Sequence, residues 1–529
     1  MQLILDKLEQ QVQTCRKRID FPLLRAVSLA ALASMLLAHG FAFTNLFPNH
    51  DSTVVVFDAQ WTMYVLGRWA QNIYFPLIRG KIAAPWLIGI FSTVYIAISG
   101  YCIASLLRLR NNAAMLMTGL LACCATVTAM LATYNLWTDA HLMGMVLACL
   151  GVFCMEKAKP IPGFCVAAVL FCGCLAFYQA YIQFALGLFL LVLVRKALED
   201  TPWWTWLLHG LRALASLAVG AALYWISVKV SLAMTGYHLA DTGNGLAQLT
   251  RLGPAAILAG IPAVYKNFFQ TLLGYSSWND RGMRVATALM LLLTLWGLFI
   301  RLRGRQVRTV VQTLLAVALL PLGLNIIYLL ASGNVYILMQ HALFLVYALP
   351  LLLLTGEGMP KPPRAFWNWC GTLLCGFLML RMMICSNGAY VYTKLVYDQT
   401  ARQTTAIMAQ VQQLPGYEEG VTPVAFVGDF TDSLFAYEDP AFSRYAEGNL
   451  HQVNSALTYD GTIKWWFQHV MGSTANVVAD QAQLNAWAED ARVEEMPVYP
   501  YDGYCAMIDG TAIIKIGRAS CRERVSSPV

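Results

Sequence analysis

Charged residues are scarce in this sequence of 529 residues, and that scarcity excludes an ordinary water-soluble protein. Only 12% of the residues are Asp, Glu, Lys or Arg, whereas 58% are hydrophobic. A soluble globular chain carries about 25% charged residues. A surface of this composition suits contact with lipid, where each exposed charge is costly.

The chain also lacks the motifs of several other protein classes. Its 14 cysteines lie mostly within apolar runs, and no CxxC pair is matched by a second one, so neither a disulfide framework nor a zinc site is predicted. No GxxxxGK[ST] motif is present, which argues against a P-loop nucleotide site. The net charge of +7 is assigned to cytoplasmic loops and not to nucleic-acid binding.

Apolar runs long enough to cross a bilayer dominate what the chain does contain. A spanning helix needs about 20 apolar residues, and the longer stretch 161–194 is interpreted as two short helices joined at the polar point 177–181. The sequence then predicts a polytopic helix bundle of about 11 spans. The runs are 21–46, 84–106, 112–133, 139–155, 161–194 (two helices), 211–234, 284–300, 309–331, 337–355 and 366–386.

Lys and Arg residues predict the orientation of these spans. With the N-terminus in the cytoplasm, every cytoplasmic connection contains Lys or Arg, while the short opposite connections 134–138, 177–181 and 332–336 contain none. This is the positive-inside bias. Outside the membrane then lie 47–83, 235–283 and the whole region after Asn387.

The polarity change near residue 387 predicts the domain organisation. Residues 1–386 form the transmembrane domain, and 387–515 form a small extracytoplasmic α/β domain that opens with a helix over 390–413 and a strand over 424–429. Residues 516–529 resemble translated adapter DNA and are set aside as a non-native tail.

The first predicted outer loop carries the first candidate site. Asp51 and Asp58 follow the first span, and Trp61 and Arg68 lie close behind them. A carboxylate near the headgroups can act as a general base on a sugar hydroxyl, and an arginine can hold a lipid-linked phosphate. The alternatives are solvated carboxylates, Asp58 as the N-cap of a helix over 59–75, and Arg68 as a surface charge.

Asp139 and His141 form a second candidate site where the fourth span begins on the same side. Ionisable groups at such depth are costly and tend to be functional. The alternatives are that Thr138 or Asp139 caps the helix, and that His141 is neutral and packed between helices.

Two weaker groups of polar residues lie on the same predicted side. Tyr178, Gln179 and Tyr181 mark the turn within 161–194, where they can bind a sugar or satisfy backbone groups freed at a broken helix. Lys266 and Arg281 can neutralise a phosphate or anchor helices at the headgroups. The shared location predicts one cavity open to the outside.

These motifs resemble those of bacterial membrane glucosyltransferases that decorate O-antigen or other envelope polysaccharides, a group with GT-C-type architecture. The likeness rests on Phe57-Asp58 followed by Gly67-Arg68-Trp69, on the Asp139 segment, on the turn at 178–181 and on the polar helix after the last span. Related families often have two adjacent acidic residues in the first loop, whereas Ala59 follows Asp58 here. Asp58 and Asp51 therefore both stay open as the base, as does binding of a divalent metal.

The resemblance implies a mechanism and a set of partners. The donor would be undecaprenyl-phosphate glucose, made by a separate transferase and flipped outward by a separate protein in the bacterial cytoplasmic membrane. The acceptor would be an envelope glycan. Asp58 would deprotonate the acceptor hydroxyl, Arg68 would stabilise the leaving phosphate, and the anomeric carbon would invert. No cofactor is implied.

Three other functions remain open from the sequence. They are a lipid-linked glycan flippase or transporter, an envelope glycan polymerase or ligase, and a non-catalytic assembly subunit. A transporter predicts ionisable residues near mid-membrane and repeat symmetry. Lys229 and Arg381 are the main residues that fit the first expectation.

Overall fold

The computed structural model describes residues 19–48, 60–240, 253–276, 278–355, 361–428, 457 and 460–517. Within these ranges the protein is mostly helical, which confirms the predicted membrane helix bundle. Ten of the described helices are long and apolar enough to cross a membrane: Phe21–Thr44, Pro85–Leu107, Asn111–Thr133, Asn135–Lys157, Pro160–Phe177, Gln179–Leu198, Trp203–Thr235, Arg281–Leu302, Val307–Leu324 and Asn368–Val411.

The α-helices are numbered here in chain order, apart from short 3-10 and π turns between them. They are α1 Phe21–Thr44, α2 Gln60–Val65, α3 Gln71–Tyr74, α4 Pro85–Leu107, α5 Asn111–Cys123, α6 Ala125–Thr133, α7 Thr138–Lys157, α8 Pro160–Phe177, α9 Ile182–Leu198, α10 Trp203–Thr235, α11 Pro254–Leu273, α12 Arg281–Leu302, α13 Val307–Leu324, α14 Ile326–Leu330, α15 Ala348–Thr355, α16 Lys361–Val411, α17 Asp460–Trp465, α18 Gln481–Ala488 and α19 Ala491–Glu495.

The tenth predicted span, 337–355, is shorter than the sequence predicts. Its apolar helix covers only His341–Leu354, and the first part, His341–Tyr347, is a 3-10 helix. A 3-10 helix rises about 2.0 Å per residue, compared with about 1.5 Å in an α-helix, so this segment gains height with fewer residues.

Two predictions about where helices are interrupted have different outcomes. The split of 161–194 is confirmed, because a 3-10 turn at Gln179–Tyr181 separates α8 from α9. The single helix predicted over 59–75 is wrong: α2 ends at Val65, and Gly67 has a φ of +72°. Glycine takes that conformation readily, and it ends the helix.

Small residues bring several of these helices into close contact. A Cβ atom on Gly220 of α10 would lie 2.7 Å from the Phe171 Cβ and 2.9 Å from the Ala168 carbonyl oxygen of α8. A Cβ atom on Gly151 of α7 would lie 2.4 Å from the Phe171 ring. Close packing at small residues is a main source of helix association in membranes.

The two ends of the bundle differ in chemistry. We call the end with the turns 134–138 and 177–181 the site end, and the opposite end the basic end. At the basic end Glu156 lies 3.3 Å from Arg195 and 3.2 Å from Lys196, and it also contacts His209. These contacts fasten α7, α9 and α10 to each other at the basic end.

The C-terminal region is a small α/β unit built on the last long helix. Helix α16 runs without a break through residue 387, so the helix predicted over 390–413 continues the last span. Four strands pair in the order β2, β1, β4, β3, with β1 parallel to β2 and β4 and with β3 antiparallel to β4. They are β1 Pro423–Val427, β2 Asn476–Val477, β3 Cys505–Ile508 and β4 Thr511–Lys515.

Aromatic packing joins this unit to α16. The buried Trp466 ring lies 5.5 Å from the Tyr397 ring, and its Nε1 donates to Thr404 Oγ1 at 3.2 Å. The sheet extends to Ile516, which is buried and donates its N–H to the Val427 carbonyl at 2.9 Å. Residues 518–529 of the predicted tail lie outside the described residues.

Candidate functional site

The structure describes two of the four candidate residues of the first loop, Trp61 and Arg68. Asp51 and Asp58 lie outside the described residues. The described loop begins at Gln60, and Trp61 follows in α2 with 48% of its surface exposed. The amphipathic indole ring is therefore available at the site end, as an interfacial residue would be.

Asp139 is buried in the first turn of α7 and binds two side chains from the first loop. Its Oδ2 accepts a hydrogen bond from the Tyr74 hydroxyl at 2.7 Å and lies 3.3 Å from Arg79 Nε. Both side chains of the ion pair are 0% exposed. Arg79 also donates from Nη2 to the Leu136 carbonyl at 2.6 Å. The Asp139 side chain thus ties the first loop to the start of α7.

The contacts of Asp139 favour its charged form, whereas its burial favours the neutral acid. An arginine partner, a hydroxyl donor and the positive end of a helix each favour a carboxylate anion. Burial and the nearby Asp139 charge raise the pKa of Tyr74, so its phenol keeps the proton that it donates. The contacts of Asp139 give it a role in fixing the first loop, and its role as a catalytic residue stays a prediction.

Arg68, Tyr178 and His141 form a stack beside this ion pair. The Arg68 guanidinium lies 4.9 Å from the Tyr178 ring centroid, and the His141 ring stacks on Tyr178 at 4.1 Å with an interplanar angle of 24°. His141 is buried, and neither ring nitrogen has a hydrogen-bond partner among the described residues. Arg68 Nε likewise has no partner in that part of the chain. The stack therefore presents a cation at the site end.

The other two candidate residues of the 178–181 turn, Gln179 and Tyr181, make structural contacts. The Tyr181 hydroxyl lies 3.0 Å from His341 Nδ1, and His341 Nε2 lies 3.2 Å from the Leu121 carbonyl. Gln179 Nε2 donates to the Leu66 carbonyl at 2.7 Å and to the Tyr224 hydroxyl at 2.9 Å. The structure thus brings the predicted residues Arg68, Asp139, His141, Tyr178, Gln179 and Tyr181 to one end of the bundle.

Lys266 and Arg281 stay apart from these contacts. Both side chains are exposed, and neither makes an ion pair or hydrogen bond within the ranges that the structure describes. Next to Arg281, Asp280 caps α12 by accepting from the Met283 N–H at 2.9 Å.

The sequence analysis missed Tyr74, Arg79 and Tyr224. Arg79 could have been found from Asp139, because a buried carboxylate needs a cationic partner and Arg79 is a cation of the first loop. No periodicity or motif marks Tyr224, which lies in a long apolar helix.

The site contains no recognisable metal centre among the described residues. No group of three or more His, Cys, Asp or Glu side chains there has the geometry to hold a metal ion. The visible chemistry is instead that of cations, aromatic rings and hydroxyl groups.

Comparison with protein families gives a match that covers residues 40–355. The family model described as glucosyl transferase GtrII matches residues 40–355, a range that runs from the end of α1 through α15 and includes every contact of the Arg68 and Asp139 groups. A search of curated proteins and a search of solved structures give no match. The match covers more than half of the chain, so this protein is a member of the GtrII glucosyl transferase family.

Proposed function

We propose that the protein transfers glucose from a polyprenyl-phosphate carrier to an envelope glycan at the outer face of the bacterial cytoplasmic membrane. The Arg68 guanidinium carries this proposal, because it is held over Tyr178 at the site end with Nε unpartnered among the described residues. A donor with a lipid tail stays in the bilayer, and a cation near the headgroups meets its phosphate there.

The proposed reaction is a direct displacement. The Asp58 carboxylate takes the proton of an acceptor hydroxyl, and that oxygen attacks the anomeric carbon of glucose from the side opposite the phosphate. The bond between the anomeric carbon and the phosphate oxygen breaks, and its electron pair leaves with the polyprenyl phosphate. Arg68 stabilises the charge of that leaving group. One displacement inverts the anomeric carbon.

Asp139 and Arg79 support this reaction from a distance. Their buried ion pair fixes the end of the first loop against α7, which holds the segment that carries Arg68. Trp61 offers an aromatic face for the sugar, whereas Tyr178 is buried against Arg68 and His141 and supports the arginine. The exposed Lys266 and Arg281 are candidates for headgroup contact. A separate transferase and a separate flippase would supply the donor on the outer leaflet.

A donor-exchange experiment tests the proposal. Purified protein in lipid receives either polyprenyl-phosphate glucose or a nucleotide-linked glucose, each with an envelope glycan acceptor. We expect glucose on the acceptor only with the lipid-linked donor. Transfer from the nucleotide donor alone would contradict the proposal, and movement of the lipid across the bilayer without transfer would favour a flippase.

A further inference from the structure

The loop 66–69, which consists of Leu66, Gly67, Arg68 and Trp69, follows the end of α2. The N–H groups of its first three residues bind back to that helix, and the Arg68 N–H reaches the Met63 carbonyl at 2.7 Å. The positive φ of Gly67 turns the chain away from the helix axis. The carbonyl groups of Leu66 and Gly67 therefore need donors from another part of the protein.

Two side chains far away in the sequence provide those donors. Gln179 Nε2 donates one hydrogen to the Leu66 carbonyl at 2.7 Å and the other to the Tyr224 hydroxyl at 2.9 Å. The Tyr224 hydroxyl in turn donates to the Gly67 carbonyl at 3.1 Å. Both hydrogens of the amide and the one hydrogen of the phenol are thereby used in a single network.

The tyrosine in this network is itself firmly placed. Its ring is 3% exposed and belongs to an apolar cluster with Ala70, Ala176 and Val228. One turn further along α10, the Ser227 hydroxyl accepts a hydrogen bond from Trp69 Nε1 at 3.0 Å. Helix α10 therefore holds both sides of Arg68, through Gly67 before it and Trp69 after it.

We propose that Gln179 and Tyr224 are positioning residues that set the location of the Arg68 guanidinium for donor binding. The inference rests on the proposed function, in which Arg68 binds the donor phosphate. Two adjacent residues of one turn support different parts of the loop, because Tyr178 contacts the Arg68 side chain at 4.9 Å and Gln179 binds the backbone. Gln179 then contacts the protein and not the sugar, and a loop fixed in advance loses less entropy on binding.

Tyr224→Phe tests this inference, because it removes one hydroxyl and keeps the packed ring. We expect kcat/KM for the lipid-linked donor to fall about tenfold, mainly through a higher donor KM, with the acceptor KM unchanged. In an Arg68→Ala background the same change should have no further effect, since Tyr224 acts through Arg68. Tyr347→Phe is the matched control, because that buried hydroxyl pairs with Thr287 Oγ1 at 2.8 Å, away from the loop.

Hydrogen exchange at residues 66–69 provides a readout that needs no activity. We expect faster exchange in Tyr224→Phe and unchanged exchange in Tyr347→Phe. Additive losses in the Arg68→Ala background, or unchanged exchange and kinetics in Tyr224→Phe, would overturn the inference. If the wild-type protein transfers no glucose from the lipid donor, the proposed function fails. Hydrogen exchange then tests the network by itself: faster exchange at residues 66–69 in Tyr224→Phe shows that the network holds the loop, and unchanged exchange shows that it does not.

Discussion

Asp58→Asn is expected to lower the turnover of glucosyl transfer about 10²- to 10⁴-fold, the usual contribution of a general base. An amide keeps the size of the carboxylate but cannot take the proton of the acceptor hydroxyl. Donor binding should change little, because the phosphate is assigned to Arg68. Initial rates at saturating donor and acceptor, measured on purified protein in lipid, give the comparison.

The matched control for this substitution is Asp51→Asn. Asp51 lies in the same loop, closer to the first span. Each of the two substitutions removes one negative charge from this loop, so the variants are matched in charge. We expect the Asp51 variant to keep turnover within a few-fold of the wild type. A large loss only in Asp51→Asn would transfer the role of base to that residue, and full activity in both variants would refute a carboxylate base in this segment.

Arg79→Ala is expected to destabilise the protein by about 3–5 kcal/mol, the usual cost of removing one partner of a buried ion pair. The substitution leaves the Asp139 carboxylate buried without its cation, and it also removes the donor to the Leu136 carbonyl. Unfolding in mixed detergent micelles, followed by circular dichroism, measures the loss. Transfer activity should fall as well, since the first loop loses its attachment to α7.

An exposed ion pair supplies the control for the buried one. Arg108 lies 2.9 Å from Glu199, and its side chain is 66% exposed. Exposed pairs contribute about 0–1 kcal/mol, so Arg108→Ala should leave the free energy of unfolding almost unchanged. Equal effects of the two alanine variants would contradict the structural role assigned to Arg79 and Asp139.

Much of the fold could be predicted from hydrophobic patterning. Apolar runs marked the ten long helices, and the polar residues 177–181 correctly marked the break between α8 and α9. The helix over 59–75 was wrong because amphipathic patterning does not reveal where a helix ends, which here depends on the positive φ of Gly67. The short segment 341–354 contains a 3-10 helix whose geometry hydropathy cannot show.

The candidate site could be predicted in its location but only partly in its contacts. The cost of burying charge pointed to Asp139, and the structure gives this residue Arg79 and Tyr74 as partners. The link from Tyr224 to Gly67 joins residues 157 positions apart, and nothing local in an apolar helix predicts it. Such contacts depend on how the helices pack, which is a property of the whole bundle.

Cysteine labelling of intact right-side-out vesicles tests the orientation of the site end, because the proposed function requires that this end face outward, where a lipid-linked donor would reach it. In a background in which Cys15, Cys521, the exposed Cys165 and the partly exposed Cys154, Cys172, Cys370 and Cys505 are replaced by serine, one accessible cysteine at a time is introduced. The three positions are Trp61→Cys in α2, Tyr501→Cys in the C-terminal unit and Val307→Cys at the basic end. A membrane-impermeant maleimide is expected to label positions 61 and 501 in intact vesicles and position 307 only after permeabilisation. Labelling of position 307 alone in intact vesicles would contradict this orientation.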